Sequence, residues 1–136
     1  MTFLDTSYFV ALALRRDALH ARALSWTRRL PGPFLTTEFV LWEFVNQLSM
    51  PVNRARAHAM LAGARENPSI QIREPAPELF RAGLTLHAER ADKSWSLTDC
   101  VSFVVMQEAN ITDALTYDRH FEQAGFRAVL RGDPDA

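Results

Sequence analysis

The sequence predicts an α/β domain, a short parallel sheet of four to five strands flanked by helices. Short apolar runs alternate with longer stretches of helical period, which is the signature of strand–helix–strand units. Proline, glycine and capping side chains mark nearly every junction between them. The chain has 136 residues and is 48% hydrophobic, which suits a single domain with a sizeable core. We read residues 1–131 as that domain and Arg131-Gly132-Asp133-Pro134-Asp135-Ala136 as running into a polar, loosely held tail over 132–136.

Thr2-Phe3-Leu4 is a short apolar run that ends at an acid and reads as the first strand. Asp5-Thr6-Ser7 offers capping groups for a helix over about Tyr8 to Leu14. Asp17 opens a second helix, with Leu19, Ala23, Trp26 and Leu30 on one face and Pro31-Gly32-Pro33 as its stop. Phe34-Leu35-Thr36 reads as the second strand, and Thr37 opens a helix running to about Met50, with Pro51 ending it. A further helix covers roughly Arg54 to Arg65 before Asn67-Pro68 closes it. Ile70-Gln71-Ile72 alternates as the third strand, and Pro75 and Pro77 start the next helix. Ser96-Leu97-Thr98-Asp99 has the form of a capping box, before a nearly all-apolar helix to about Ala109. A fourth strand falls within Ile111 to Thr116, and Asp118 caps a short helix through Gln123 with Gly125 as its stop. Ala128-Val129-Leu130 is the expected fifth strand. Parallel strands need right-handed crossovers, so helices should cover both faces.

Composition excludes several classes. The single cysteine, Cys100, cannot form an internal disulfide and suits a reducing cytoplasm; it reads as a small buried apolar residue. The first residues have no basic segment before an apolar one, so no signal peptide is expected. No window approaches the ~20 apolar residues of a membrane span. The net charge of −1 is neutral on nucleic acid, but its distribution is not: of 15 lysines and arginines all but Lys93 are arginine. Arg15, Arg16, Arg22, Arg28 and Arg29 cluster around Asp17, as a phosphate-contacting surface or as a solvated helix face. There is no phosphate-binding glycine loop, no dinucleotide fingerprint and no nucleophile elbow. His20, His58, His87 and His120 lack zinc spacing.

The acids are the informative feature. Asp5, Glu43, Asp99 and Asp118 each have an apolar neighbour and lie at the start or middle of an expected element. Glu43 interrupts Phe39-Val40-Leu41-Trp42-Glu43-Phe44-Val45, and its neighbours one turn away are Phe39, Val40, Asn46 and Gln47, none cationic. A carboxylate withdrawn from water must be paired, protonated or bound to metal. Capping would explain Asp5, Asp99 or Asp118 singly. It does not explain Glu43 in mid-helix. Asp5 and Asp118 directly follow expected strands, where sites form in parallel sheets. Oxygen-only donors select hard cations, Mg²⁺ or Mn²⁺, and such sites serve phosphodiester cleavage by activating a water and stabilising the leaving oxygen. Ser7, Ser96 and Thr116 read as caps or as hydrogen-bonding support rather than nucleophiles. Thr116 is placed to orient Asp5 or Asp118, and Asn46, one turn after Glu43, to orient a carboxylate or hold a metal water. His120, next to Asp118, reads as a surface or packing residue, with approach to substrate phosphate the alternative.

These residues carry a resemblance. Leu4-Asp5-Thr6-Ser7, Thr37-Glu38 with Glu43-Phe44-Val45-Asn46, Trp95-Ser96-Leu97-Thr98-Asp99-Cys100, and Thr116-Tyr117-Asp118-Arg119-His120-Phe121 with Gly125-Phe126 resemble, in order and spacing, the four motifs of PIN-domain proteins. More narrowly, nearly the whole chain looks like a VapC-type toxin of a bacterial toxin–antitoxin pair. The resemblance implies a three-layer α/β/α fold and a Mg²⁺- or Mn²⁺-dependent endoribonuclease in the cytoplasm. It also implies a homodimer and a small VapB-like antitoxin that occludes the acidic site. It places Asp5, Glu43, Asp99 and Asp118 on the metal, with Thr6, Ser7, Asn46 and Thr116 in support. Arg15, Arg16 and Arg119 are candidate phosphate contacts. Asp113 is a rival to Asp118 and Glu38 a rival to Glu43; the Thr-x-Asp-x-x-Phe context favours Asp118, and a helix-dipole role suffices for Glu38. Two other readings compete. An aspartyl phosphatase or receiver domain would need a partner acid and a supporting lysine, whereas position 7 is serine and Lys93 lies in a loop. A catalytically silent binding module would use the acidic pocket to capture a partner's arginine or RNA.

Overall fold

Five strands and seven helices follow one another in a computed structural model that describes residues 1–135. The strands are β1 (Thr2–Leu4), β2 (Phe34–Thr37), β3 (Ile70–Arg73), β4 (Asp113–Leu115) and β5 (Arg127–Ala128). The helices are α1 (Thr6–Ala13), α2 (His20–Arg29), α3 (Glu38–Gln47), α4 (Pro51–Glu66), α5 (Pro77–Glu89), α6 (Leu97–Glu108) and α7 (Arg119–Gln123). All pairings are parallel and the strand order is β3-β2-β1-β4-β5. The chain therefore winds from β1 to β2 to β3 in one direction, then crosses back to β4 and β5. Right-handed crossovers then put α1–α4 on one face and α5–α7 on the other. The packing agrees: α1 touches α2, α3 and α4, while α6 touches α5 and α7. The winding reverses between β1 and β4, so a crevice opens at their carboxyl ends.

The core is dominated by aromatic and aliphatic side chains from both layers. Phe3, Leu4, Phe44, Phe103, Leu115, Phe121 and Leu130 are fully enclosed. Phe103 of α6 meets Trp95 and Phe121 edge-on, with ring centroids 5.0 and 4.9 Å apart. Trp95 also donates its indole N–H to Gln123 at 3.0 Å. These contacts lock α6 to the short α7, and so fix the helix starts that carry Asp99 and Asp118 relative to each other. On the same layer Gly83 lets α5 approach α6, since a Cβ there would meet Val101 at 2.5 Å.

Several boundaries differ from the expected ones. The Asp17 carboxylate accepts the Leu19 N–H at 2.8 Å and forms a turn, so α2 begins at His20. Pro51 does not end α3; it is the first residue of α4, a position where its missing N–H costs nothing. The run Ala128-Val129-Leu130 is strand only at Ala128; Val129–Arg131 is a 3₁₀ turn, whose Leu130 N–H still donates to the Thr116 carbonyl beyond β4 at 3.2 Å. The tail is also held: the Trp26 indole donates to the Gly132 carbonyl at 2.9 Å, and Arg29 pairs with Asp135. Ala136 lies outside the described residues. Among the described residues no helix is long and apolar enough to cross a membrane.

Candidate active site

The crevice between β1 and β4 collects the acids. Asp5 follows β1, its backbone N–H bonded to the Leu115 carbonyl of β4 at 3.2 Å. Its side chain is buried and leaves the first turn of α1 uncapped. Instead it accepts the Thr116 hydroxyl at 2.7 Å through Oδ2. Thr116 is a hub: the Ser7 hydroxyl lies at 3.2 Å and the Asp118 N–H donates to it at 3.0 Å. Ser7 in turn accepts the Tyr117 N–H at 3.1 Å. The β4–α7 turn is thereby pinned to the start of α1, and Asp5 and Asp118 are held on one lip.

Asp99 completes a reciprocal cap. Its N–H donates to Ser96 Oγ at 3.0 Å, and the Ser96 N–H donates to Asp99 Oδ2 at 3.0 Å. Asp118 caps α7 through the His120 N–H at 2.8 Å. Capping and convergence are thus compatible, because the caps use one edge of each carboxylate and leave the rest facing the crevice. Asp5, Thr6, Ser7, Glu43, Asp99 and Asp118 all line one cavity of about 240 Å³. Asp17, Gln47 and Tyr117 line it too, and no lysine or arginine does among the described residues.

The electrostatics follow from burial without a cation. The Asp5 carboxyl is pushed from 3.8 up to about 7, mainly by burial, with the charges of Asp99 and Glu43 adding to the rise and the Thr116 hydroxyl opposing it. Burial also raises Glu43, helped by Asp99 and Asp118 and opposed by the Thr98 hydroxyl. Asp99 is raised by burial and by Asp118, against hydrogen bonds from His120 and Ser96. The Thr6 hydroxyl is close enough to Glu43 to temper that carboxyl, yet it is enclosed with no hydrogen bond of good geometry. Acid oxygens that repel one another, together with an enclosed and unpartnered hydroxyl, form a donor set that could hold a divalent cation.

Other sequence candidates fall elsewhere. Asn46 turns away from the crevice and lines an apolar groove of about 420 Å³ with Glu38, Phe39, Trp42, His58 and Leu61. One residue further round α3, Gln47 takes the place expected of Asn46. Glu38 stays in the first turn of α3, and Asp113 is paired with Arg127 at 2.8 Å, so neither rival reaches the acids. Arg15 and Arg16 are exposed in the α1–α2 connection, and Arg119 is exposed as the first residue of α7. Arg22 and Arg56 serve the fold, donating to the carbonyls of Leu130 and Ala13 at 3.0 and 2.9 Å. The residue undervalued by sequence reasoning is His120. Its Nδ1 lies 2.9 Å from Asp99 Oδ2 and 3.3 Å from Asp118 Oδ1. Its position two residues after the capping Asp118 was the only local signal.

The profile of the PIN domain matches residues 2–127, which spans every element from β1 into β5. The chain belongs to the PIN-domain family. It is 28% identical over 129 residues to the 23S rRNA-specific endonuclease VapC20 of Mycobacterium tuberculosis, in strains CDC 1551 / Oshkosh and ATCC 25618 / H37Rv. That alignment covers 95% of this chain and 98% of the relative. The crystal structure of Mycobacterium tuberculosis VapC20, described as a sarcin-ricin loop cleaving toxin, superposes with a TM-score of 0.88 at 26% identity, again over 95% and 98% of the two chains. The five-stranded parallel sheet with its flanking helices is therefore the PIN fold, as the sequence motifs led us to expect.

Proposed function

We propose that this chain is a metal-dependent endoribonuclease and the toxin of a toxin–antitoxin pair. The observation that carries the reading is the convergence of Asp5, Glu43, Asp99 and Asp118 on one crevice at the switch point of a PIN fold, with no lysine or arginine lining it among the described residues. Its likeness to an RNA-cleaving toxin over nearly the full length of both chains supports the same activity. The substrate we take first is therefore 23S ribosomal RNA, at its sarcin-ricin loop. A VapB-like antitoxin that occludes the crevice, a homodimeric toxin and action in the cytoplasm complete the proposal.

In this reading Asp5, Glu43, Asp99 and Asp118 would hold Mg²⁺ or Mn²⁺, and such an ion, when bound, would supply water activation and charge to stabilise the leaving oxygen. The protein's own part is positioning. Thr116, buttressed by Ser7, fixes one oxygen of Asp5 and leaves the other free. Ser96 holds Asp99 from both its N–H and its hydroxyl. The enclosed Thr6 hydroxyl, beside Glu43, would help to orient that carboxylate. Arg119, at the start of α7, and Arg15 and Arg16, in the connection after α1, would meet the phosphate backbone from the rim.

The test is cleavage of total bacterial RNA by the purified, antitoxin-free protein. We expect discrete fragments with Mg²⁺ or Mn²⁺, none with EDTA and none from Asp99→Asn. A folded protein that cleaves nothing with either ion, or an Asp99→Asn variant with full activity, would overturn the reading.

A further inference from the structure

We propose that His120 is itself a ligand of the divalent cation, through Nδ1, and that it tilts the site toward Mn²⁺ and away from Mg²⁺. This rests on the reading of the crevice as a metal site and names a residue outside the four acids. The geometry is specific. One ligand atom from each of Asp99, Asp118 and His120 lies within 4.8 Å of the other two. The ring nitrogen is 2.9 Å from one carboxylate oxygen and 3.3 Å from the other. Around an octahedral ion with bonds of about 2.1 Å, adjacent donors stand about 3 Å apart and opposite donors about 4.2 Å. The spacings of 2.9 and 3.3 Å match those of adjacent donors, and the two oxygens concerned are the ones that also accept the capping N–H groups of Ser96 and His120.

His120 is also held in place. Its backbone N–H donates to Asp118 at 2.8 Å, and the next residue, Phe121, is fully enclosed in the core. Without a cation, the Nδ1–H tautomer can donate to Asp99; with one bound, the ring carries its proton on Nε2 and offers the Nδ1 lone pair. A second feature of the same crevice is the Thr6 hydroxyl, on a residue only 5% exposed: it lies beside Glu43 but makes no hydrogen bond of good geometry.

The chemical consequence lies in the donor type. Carboxylates serve Mg²⁺ and Mn²⁺ alike, whereas an imidazole nitrogen suits first-row transition metals and is a poor ligand for Mg²⁺. A site of acids alone would discriminate weakly; adding one nitrogen should favour Mn²⁺.

Pulsed electron paramagnetic resonance of Mn²⁺ bound to the full chain tests this, with calorimetric titration of Mn²⁺ and Mg²⁺. The expected result is a nitrogen-14 coupling of a directly bound imidazole, lost in His120→Gln. That variant should bind Mn²⁺ about tenfold more weakly and Mg²⁺ nearly as before. Bound Mn²⁺ without that coupling in the wild-type protein, a coupling that survives in His120→Gln, or equal weakening for both ions would overturn the proposal. Each of these outcomes leaves the nuclease reading standing. Binding of neither ion would overturn both.

Discussion

Helix α3 borders two cavities on neighbouring faces, and they differ in every respect except that helix. Glu43 and Gln47 face the acidic crevice, of about 240 Å³. Phe39, Trp42, Val45 and Asn46 face an apolar groove nearly twice as large, about 420 Å³. The larger cavity contains the kind of residues that any two packed helices leave between them, and its acid, Glu38, sits in a first turn where the helix dipole accounts for it. The smaller one gathers carboxylates from four elements that are far apart in sequence. Asp5 and Asp99 are buried and Glu43 and Asp118 half-buried, and a bound cation or protons would offset the cost that their hydrogen bonds leave. Volume therefore misdirects here, and the unbalanced charge identifies the site.

The comparison breaks most sharply at Asp99. Asp99→Asn keeps the shape of the cap but removes the charge. Cleavage should fall by on the order of a thousandfold. A folded Asp99→Asn protein that cleaves at more than a few per cent of the wild-type rate would show that the crevice does not do the chemistry.

The next effect is on stability in the absence of metal. Asp5 titrates near 3.8 when unfolded and at about 7 when folded, so between those values the folded state holds more protons. The contribution of Asp5 to the stability of the metal-free protein should thus be most favourable at or below about pH 4, fall as pH rises toward 7, and level off above. The contribution of Asp5 is roughly 4 kcal/mol. The raised Glu43 and Asp99 act in the same direction. Asp5→Asn should flatten most of the slope, as read by urea denaturation in EDTA at pH 5 and pH 8. A wild-type protein equally stable at both would show that the acids are not crowded as the crevice requires.

Much of this was legible because it is local. The capping box at Ser96–Asp99, the start of α7 at Asp118 and the glycine stop at Gly125 depend on neighbours within a turn or two, and the structure has all three. The acid in the middle of α3 was conspicuous because its own helix gave it no partner. What failed was set by distant neighbours. Ala128-Val129-Leu130 turns into a 3₁₀ helix after Ala128 although β4 runs on to Leu115, and nothing in the run itself marks that turn. Whether Asn46 or Gln47 faces the acids depends on the rotation of α3 against the sheet, and the sequence does not specify that rotation. His120 looked ordinary because the partner that gives it meaning, Asp99, is 21 residues away and reaches it only through the packing of α6 on α7.

Thr116 sharpens the comparison further, since the bonds of its hydroxyl all serve the crevice. Thr116→Val preserves shape but removes the hydroxyl that links Asp5, Ser7 and the Asp118 N–H. Cleavage should drop about 10- to 100-fold through misplaced carboxylates, and stability by about 1–3 kcal/mol for the stranded buried groups. Adding metal in excess should recover part of the activity, because a misplaced ligand weakens binding before it prevents chemistry. A Thr116→Val enzyme with wild-type cleavage at limiting metal would mean that Asp5 needs no such support.

The smallest effect belongs to the groove. Trp42 is 73% exposed, so its removal strips little area from the core and strands no polar partner. Trp42→Ala should change stability by no more than about 0.5 kcal/mol and leave RNA cleavage by the antitoxin-free protein unchanged. One residue further along the same helix, Glu43→Gln should sharply reduce cleavage while sparing the fold. The pair can be assayed side by side for metal-dependent cleavage and thermal midpoint. If Trp42→Ala lost cleavage as severely as Glu43→Gln, the two faces of α3 would form one functional surface, and the separation drawn between crevice and groove would fail.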